Sequence, residues 1–168
     1  SYTGKTMKRI GTPGLAFLLL LLLWLQTYPF RGALAWLTGL NLSLCFVLAA
    51  EMLGEKRAGV LAVAAGVVAG AISGSAVPLV VFAAAVPAAH SVKSAMFRPG
   101  SAFHVISYWL IITCANSILL LGASAGEFPS GTAWAFVAAW SAADFAVFLF
   151  MLAGFRDRRR AVAYRMRR

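Results

Sequence analysis

Asp144 is the one acidic residue that lies well inside an apolar segment of this 168-residue chain. It lies about midway along residues 132–154, a stretch with no other charged side chain. A charged carboxylate at the centre of a lipid bilayer costs about 2.5–3.5 kcal/mol on insertion scales, so such a residue is a candidate for function. Two interpretations stay open. Asp144 takes part in proton or cation coupling, or it is a protonated or hydrogen-bonded aspartate that locks helix packing.

Asn41 and Asn116 are two further polar residues within apolar segments. Asn41 belongs to the second of six predicted spans and Asn116 to the fifth, at similar depths in the outer half of a membrane. Together with Asp144 they could line a small-molecule site that opens to the outside. The favoured interpretation is structural, because side-chain hydrogen bonds between helices in membranes are worth about 0.6 kcal/mol on average and are a common means of joining helices.

Four ionisable residues, Glu51, Glu55, His90 and His104, are predicted to lie at one level near the opposite membrane surface. Acidic and imidazole groups at one level could form a metal site or a docking surface. The two histidines are fourteen residues apart rather than at the i, i+4 spacing of helical metal ligands. A solvated ionic rim is therefore the favoured interpretation.

Recognisable catalytic patterns are absent from the sequence. It contains no HExxH motif, no nucleophile–base pair and no paired carboxylates within the apolar segments. Cys45 and Cys114 lie in apolar runs without CxxC spacing, which is typical of small buried hydrophobic residues. The sequence thus predicts a protein that is not an enzyme, with no catalytic residues, no cofactor and no metal.

The composition indicates a membrane protein. Hydrophobic residues make up 61% of the chain and charged residues 12%, whereas a soluble domain carries about 25% charge. Long apolar runs alternate with short charged clusters, as in proteins that cross the membrane several times. We expect an all-α bundle of six transmembrane helices between a cytoplasmic segment, residues 1–11, and a basic cytoplasmic tail, residues 155–168. The predicted spans are residues 12–28, 33–53, 58–73, 76–92, 102–123 and 132–154.

Basic residues are strongly segregated in this six-span arrangement, and the formal net charge is +10. Fourteen of the fifteen lysines and arginines fall on one side, and Arg31 alone falls on the other. The positive-inside rule then places both termini in the cytoplasm, with the bacterial inner membrane as the expected location. Anionic lipid is favoured over nucleic acid as the partner of these charges, because the chain has no soluble module to hold a nucleic acid. The tail residues predicted to contact lipid head groups or an acidic partner are Arg156, Arg158, Arg159, Arg160, Arg165, Arg167 and Arg168.

Small residues recur every four positions in the third predicted span, at Ala62, Gly66, Gly70 and Gly74. A flexible linker is excluded there, because backbone groups within lipid must be satisfied inside their own helix. A phosphate-binding loop is unlikely, because the stretch lacks the GK[ST] ending of a P-loop. Small residues at this spacing let two helix backbones approach closely. The partner is either a neighbouring helix of the same chain, which is favoured, or another membrane protein.

This arrangement resembles the family of the rod shape-determining membrane protein MreD. That family has a small-residue stretch of the form G-x-x-x-D-x-x-S-G-S-x-x-G, and the matching residues here are Gly66, Gly70, the run Ser73-Gly74-Ser75 and Pro78. Three further similarities are the basic turn Lys56-Arg57-Ala58-Gly59, the end of the first span with Pro29 and Arg31, and the arginine-rich tail. The family's acidic residue falls on Gly70, its later glycine on Pro78, and its Trp-Pro pair on Trp140-Ser141, so no role of that acidic side chain carries over.

The resemblance implies a six-span protein with both termini inside that acts as a non-catalytic scaffold or assembly subunit. Its partners would be other integral membrane proteins of the cell-elongation machinery: an MreC-like scaffold and the peptidoglycan synthase, together with the actin-like cytoskeleton. The chain is also similar to the six-span substrate-binding components of energy-coupling-factor vitamin transporters. That alternative implies small-solute transport, with Asn41, Asn116 and Asp144 lining a pocket. The scarcity of polar groups within the spans favours the scaffold.

Overall fold

The computed structural model describes residues 12–27, 40–95, 102–124 and 129–165. These residues form six α-helices and no β-strand, which confirms the predicted all-α class for this part of the chain. The helices are α1 Thr12–Thr27, α2 Leu42–Met52, α3 Ala58–Ser73, α4 Val77–Ala95, α5 Ala102–Ala123 and α6 Gly131–Arg165.

Three of these helices are long and apolar enough to cross a membrane. The spanning segments are Val77–Ala95 in α4, Val105–Ala123 in α5 and Gly131–Gly154 in α6. Helices α1 and α3 have 16 residues each, or about 24 Å, against a hydrocarbon core of about 30 Å. The structure is thus compatible with a membrane protein, but helix length does not support the predicted six spanning helices.

Helix α2 departs most from the prediction. A continuous helix over residues 33–53 is wrong, because Leu40 and Asn41 are not helical and the helix begins at Leu42. Residues 28–39 lie outside the described residues. Asn41 is the N-cap, with its side-chain oxygen accepting a hydrogen bond from the Leu44 backbone N–H. An asparagine in this position ends the non-helical segment and satisfies one of the free N–H groups of the first turn.

The 11 residues of α2 form the centre of the bundle. Every residue from Ser43 to Glu51 is buried, and α2 contacts each of the other five helices. The helix ends in a Schellman motif: Gly54 has φ of 75°, its N–H donates to the Glu51 carbonyl, and the Glu55 N–H donates to the Ala50 carbonyl. Because α2 is buried all round, the free N–H and C=O groups at its two ends need partners from the surrounding protein.

Large apolar side chains cover the outside of the bundle. Phe17 on α1, Val60 on α3, Phe103 on α5 and Phe150 on α6 are between 67% and 81% exposed. A soluble protein rarely exposes apolar side chains over such a wide area. This surface suits a lipid environment.

Helix α6 continues without a break from its apolar segment into the basic segment. It has 35 residues, or about 52 Å, which exceeds the thickness of the hydrocarbon core. The expected division at residue 155 is therefore a change of composition and not an end of the helix. The apolar segment and the first part of the tail thus form one helix as far as Arg165.

Candidate functional site: a buried polar cluster at the start of α2

The carboxyl group of Asp144 lies inside the bundle, fully buried, and both of its oxygens accept hydrogen bonds. Oδ1 accepts from the backbone N–H of Asn41 at 2.7 Å, and Oδ2 accepts from Nδ2 of Asn116 at 2.8 Å. These contacts join α6 to the start of α2 and to α5. The structure thus brings together the three polar residues that the sequence singled out.

Two further side chains of α2 and α6 complete what we call the Asp144 cluster, which consists of Asp144, Asn116, Asn41, Ser141 and Cys45. Asn116 Nδ2 also donates to Ser141 Oγ at 3.3 Å, and the Cys45 thiol donates to the Asp144 carbonyl oxygen at 3.2 Å. All five residues are buried. The hydrogen bonds of the cluster are thus formed between groups of the protein itself, as buried polar groups require.

The start of α2 supplies a favourable electrostatic environment for the Asp144 carboxylate. Free N–H groups at a helix N-terminus carry a partial positive charge that stabilises an anion. Asn41 contributes in two ways, since its backbone N–H binds Asp144 while its side chain caps Leu44 and accepts from the Ser43 hydroxyl. Among the side chains that the structure describes, no lysine, arginine or histidine forms an ion pair with Asp144. The helix dipole and the Asn116 amide take the place of a cation.

The distance of this contact from the end of the apolar segment of α6 matches the length of α2. Gly154, at the end of the apolar segment of α6, lies ten residues after Asp144, or about 15 Å along the helix axis. The 11 residues of α2 span about 16 Å. Both lengths are about half the thickness of a hydrocarbon core, so α2 is a half-length helix that begins inside the bundle.

The other end of α2 is bound by α4. Lys93 Nζ donates to the Glu51 carbonyl oxygen at 2.9 Å, which puts a positive charge at the helix C-terminus. The Glu51 carboxylate, nearly buried, lies 3.1 Å from His90 Nδ1, and the His90 side chain is 71% exposed. The predicted rim of ionisable groups thus includes a specific contact between α2 and α4. Glu55 lies in the turn after α2, and the side chain of His104 is outside the described residues.

The small-residue face of α3 packs inside the chain. Ala62 and Gly66 are buried, and a Cβ at Gly66 would lie 2.8 Å from Leu79 Cα of α4. A Cβ at Gly70 would lie 2.9 Å from the Ser75 carbonyl oxygen, and Gly74 has φ of 66° at the C-cap. Gly66 and Gly70 thus permit the close α3–α4 hairpin, and Gly74 permits the left-handed turn that joins the two helices.

The side chains of the basic tail lie outside the described part of the structure. Arg156, Arg158, Arg159, Arg160 and Arg165 belong to the helical extension of α6, and Arg167 and Arg168 lie outside the described residues. Among the described side chains, no group of three or more histidine, cysteine, aspartate or glutamate residues could hold a metal ion.

Sequence reasoning missed Ser141, Cys45 and Lys93, whose partners lie far away along the chain. One signal was available for the start of α2. Gly39 followed by Asn41, just before an apolar run, is a typical helix start. It was overlooked because a continuous apolar span was expected there.

Comparisons with known proteins found no match to this chain. No family model matches the chain, and neither the curated proteins nor the solved structures include one that matches it.

Proposed function

We propose that the chain is a non-catalytic membrane scaffold, an assembly subunit that binds other integral membrane proteins through its outer surface. One observation carries this proposal: the polar groups inside the bundle bind one another. Asn41, Asn116 and Asp144 are at most 8% exposed, and their hydrogen bonds join α2, α5 and α6. Such an interior stabilises a fixed shape, and a scaffold needs a fixed outer surface.

The alternative function predicted from the sequence is small-solute transport or substrate binding for a vitamin transporter. It requires Asn41, Asn116 and Asp144 to face a substrate. In the structure these side chains face one another and their neighbours. This arrangement favours the scaffold over the transporter.

The resemblance to the MreD family supports a more specific form of the proposal. In that form the chain acts in cell elongation and peptidoglycan synthesis, and its partners are an MreC-like scaffold and the peptidoglycan synthase. The surfaces available for such partners are the outward faces of the helices. On α3 this face includes Val63 and Val67, both exposed, whereas Ala62 is buried and Gly66 packs against α4.

Site-specific photo-crosslinking tests the scaffold. A photoreactive residue is placed at Val63 or Val67, and as a matched inward control at Leu61, which is buried on the same helix. In membranes that contain the MreC-type protein and peptidoglycan synthase of the same organism, we expect crosslinks from the outward positions to one of these proteins and none from Leu61. A chain that crosslinks to neither, and that purifies as a lone monomer from copolymer discs, would refute the proposal.

We further propose six crossings of a bacterial inner membrane with both termini in the cytoplasm. The segregation of fourteen of the fifteen basic residues supports this topology. Reporter fusions after Glu55 and at the C-terminus should be active as cytoplasmic reporters, and a fusion after Ser75 as an external one. A C-terminal reporter that is active only outside would overturn the topology.

A further inference from the structure

The carboxyl group of Asp144 is a buried ionisable group whose two oxygens bind the start of α2 and Asn116 of α5. We propose that it is a proton-binding site and that its protonation releases the start of α2. The inference goes beyond the proposed function and depends only on the Asp144 cluster.

The two oxygens of Asp144 differ in their ability to accommodate a proton. Oδ1 faces the Asn41 backbone N–H, which can only donate, so Oδ1 must remain an acceptor. Oδ2 faces the side-chain amide of Asn116. An amide that turns about its last bond exchanges its NH₂ group for its oxygen, which accepts from a protonated carboxyl. The proton therefore binds Oδ2, and Asn116 is the residue that adapts.

Protonation weakens the remaining contact with α2. A hydrogen bond to a charged acceptor is roughly twice as strong as one between neutral groups. Once Asp144 is neutral, its attraction to the N-terminal end of the α2 dipole is also lost. The end of α2 at Lys93 and Glu51 is unaffected, because it lies at the far end of the helix. The expected motion is thus an opening of the first turn of α2 about its fixed C-terminal end.

The surroundings of Asp144 leave few other groups to respond to pH. Helices α2 and α5 pack against this part of α6. The titratable side chains that they bring near it are Cys45, which donates to the Asp144 carbonyl oxygen, and Tyr108, whose ring stacks on Phe148 one turn along α6. Glu51 lies at the other end of α2 with His90 and Lys93.

The variant Asp144→Asn imitates the protonated state, since its amide can accept from Asn41 and donate to a turned Asn116. Alkylation of Cys45 by a small maleimide reports opening, because the thiol is buried one turn after Asn41. The assay uses a Cys114→Ala background, because Cys114 is exposed. At a single pH we expect alkylation about fivefold faster in Asp144→Asn, the factor that corresponds to replacing one charge-assisted hydrogen bond by a neutral one. The matched control Glu55→Gln, outside the cluster, should react at the original rate.

Two measurements on the unsubstituted protein keep the proposal testable even if Asp144→Asn does not fold. Infrared difference spectra between alkaline and acidic pH should contain the C=O band of a carboxylic acid in an apolar environment. Hydrogen exchange of peptides that cover the first turn of α2, corrected for the intrinsic effect of pH, should be faster at acidic pH. The proposal is overturned if that band is absent, if exchange is unchanged, or if Cys45 reacts equally fast in Asp144→Asn and in the control.

Discussion

Asn41 combines two roles that are usually separate, since its side chain caps α2 while its backbone N–H binds the Asp144 carboxylate. At ordinary helix starts asparagine, aspartate and serine are nearly interchangeable. Here the preference should be different, because an aspartate at position 41 would place a second carboxylate beside Asp144. The residue type is thus constrained by a contact between helices as well as by helix capping.

Substitutions at Asn41 test this constraint. We expect Asn41→Ser to change the free energy of unfolding by less than about 0.5 kcal/mol. Asn41→Asp should destabilise by about 2 kcal/mol through repulsion between two nearby carboxylates. Both values come from unfolding by sodium dodecyl sulfate in mixed micelles, followed by circular dichroism. Equal stability of the two variants would show that the side chain at position 41 does not experience the charge of Asp144.

Lys93 is the counterpart of Asp144 at the other end of α2. Its ammonium group donates to the Glu51 carbonyl and adds a cation where the helix dipole is negative. Lys93→Met retains much of the aliphatic chain but removes both effects, and we expect a loss of about 1 kcal/mol in the same unfolding experiment. Lys93→Arg retains the charge and should lose less. A Met variant as stable as the original would mean that this end of α2 needs no cation.

At the scale of elements, the α3–α4 hairpin depends on the absence of a side chain at Gly66. A Cβ there would meet backbone at 2.8 Å and Phe82 Cβ at 3.1 Å, so neither helix can accommodate it without moving. Gly59 lies on the same helix with no atom within 4 Å of a built Cβ. Substitutions at these two glycines therefore distinguish the effect of side-chain packing from that of helix propensity.

We expect Gly66→Ala to destabilise the protein by about 1–3 kcal/mol, as other over-packed interiors are destabilised. Gly59→Ala should be neutral or slightly stabilising, because alanine favours the helix. Thermal unfolding of both variants in detergent, beside the unsubstituted protein, provides the comparison. If the two substitutions have the same effect, the close α3–α4 contact does not contribute to stability.

The elements also show where sequence reasoning succeeds. The limits of α3 and α5 agree with the predicted ones, because glycine, serine or charged residues bound one predominantly apolar run in each case. Helix α2 could not be delimited in this way. A helix buried all round has no apolar face to reveal its period, and most of the residues from 33 to 40 before it are apolar as well. Asp144 was recognised from its cost in lipid, but its partners Asn41 and Asn116 depend on contacts across 103 and 28 positions of the chain.

At the scale of the whole molecule, a half-length helix is enclosed by longer ones and bound at each end by an opposite charge. The outer surface is apolar around α1, α3, α5 and α6, and the basic residues follow where α6 passes its apolar segment. The apolar part of α6 has 24 residues, or about 36 Å, enough to cross a hydrocarbon core of about 30 Å. The arginines that follow are therefore at the level of lipid head groups if α6 spans the membrane.

Anionic lipid should then stabilise the protein through this extension of α6. A basic residue near an anionic membrane surface contributes about 1 kcal/mol, decreasing with salt. We expect a higher Tm in discs of phosphatidylglycerol than in discs of phosphatidylcholine, and we expect most of the difference to disappear when Arg156, Arg158, Arg159 and Arg160 are replaced by glutamine. In phosphatidylcholine the variant and the original should unfold at the same temperature, because the helix itself is retained. A variant that keeps the full stabilisation by phosphatidylglycerol would show that the basic charges elsewhere on the chain, and not the α6 extension, bind the anionic lipid.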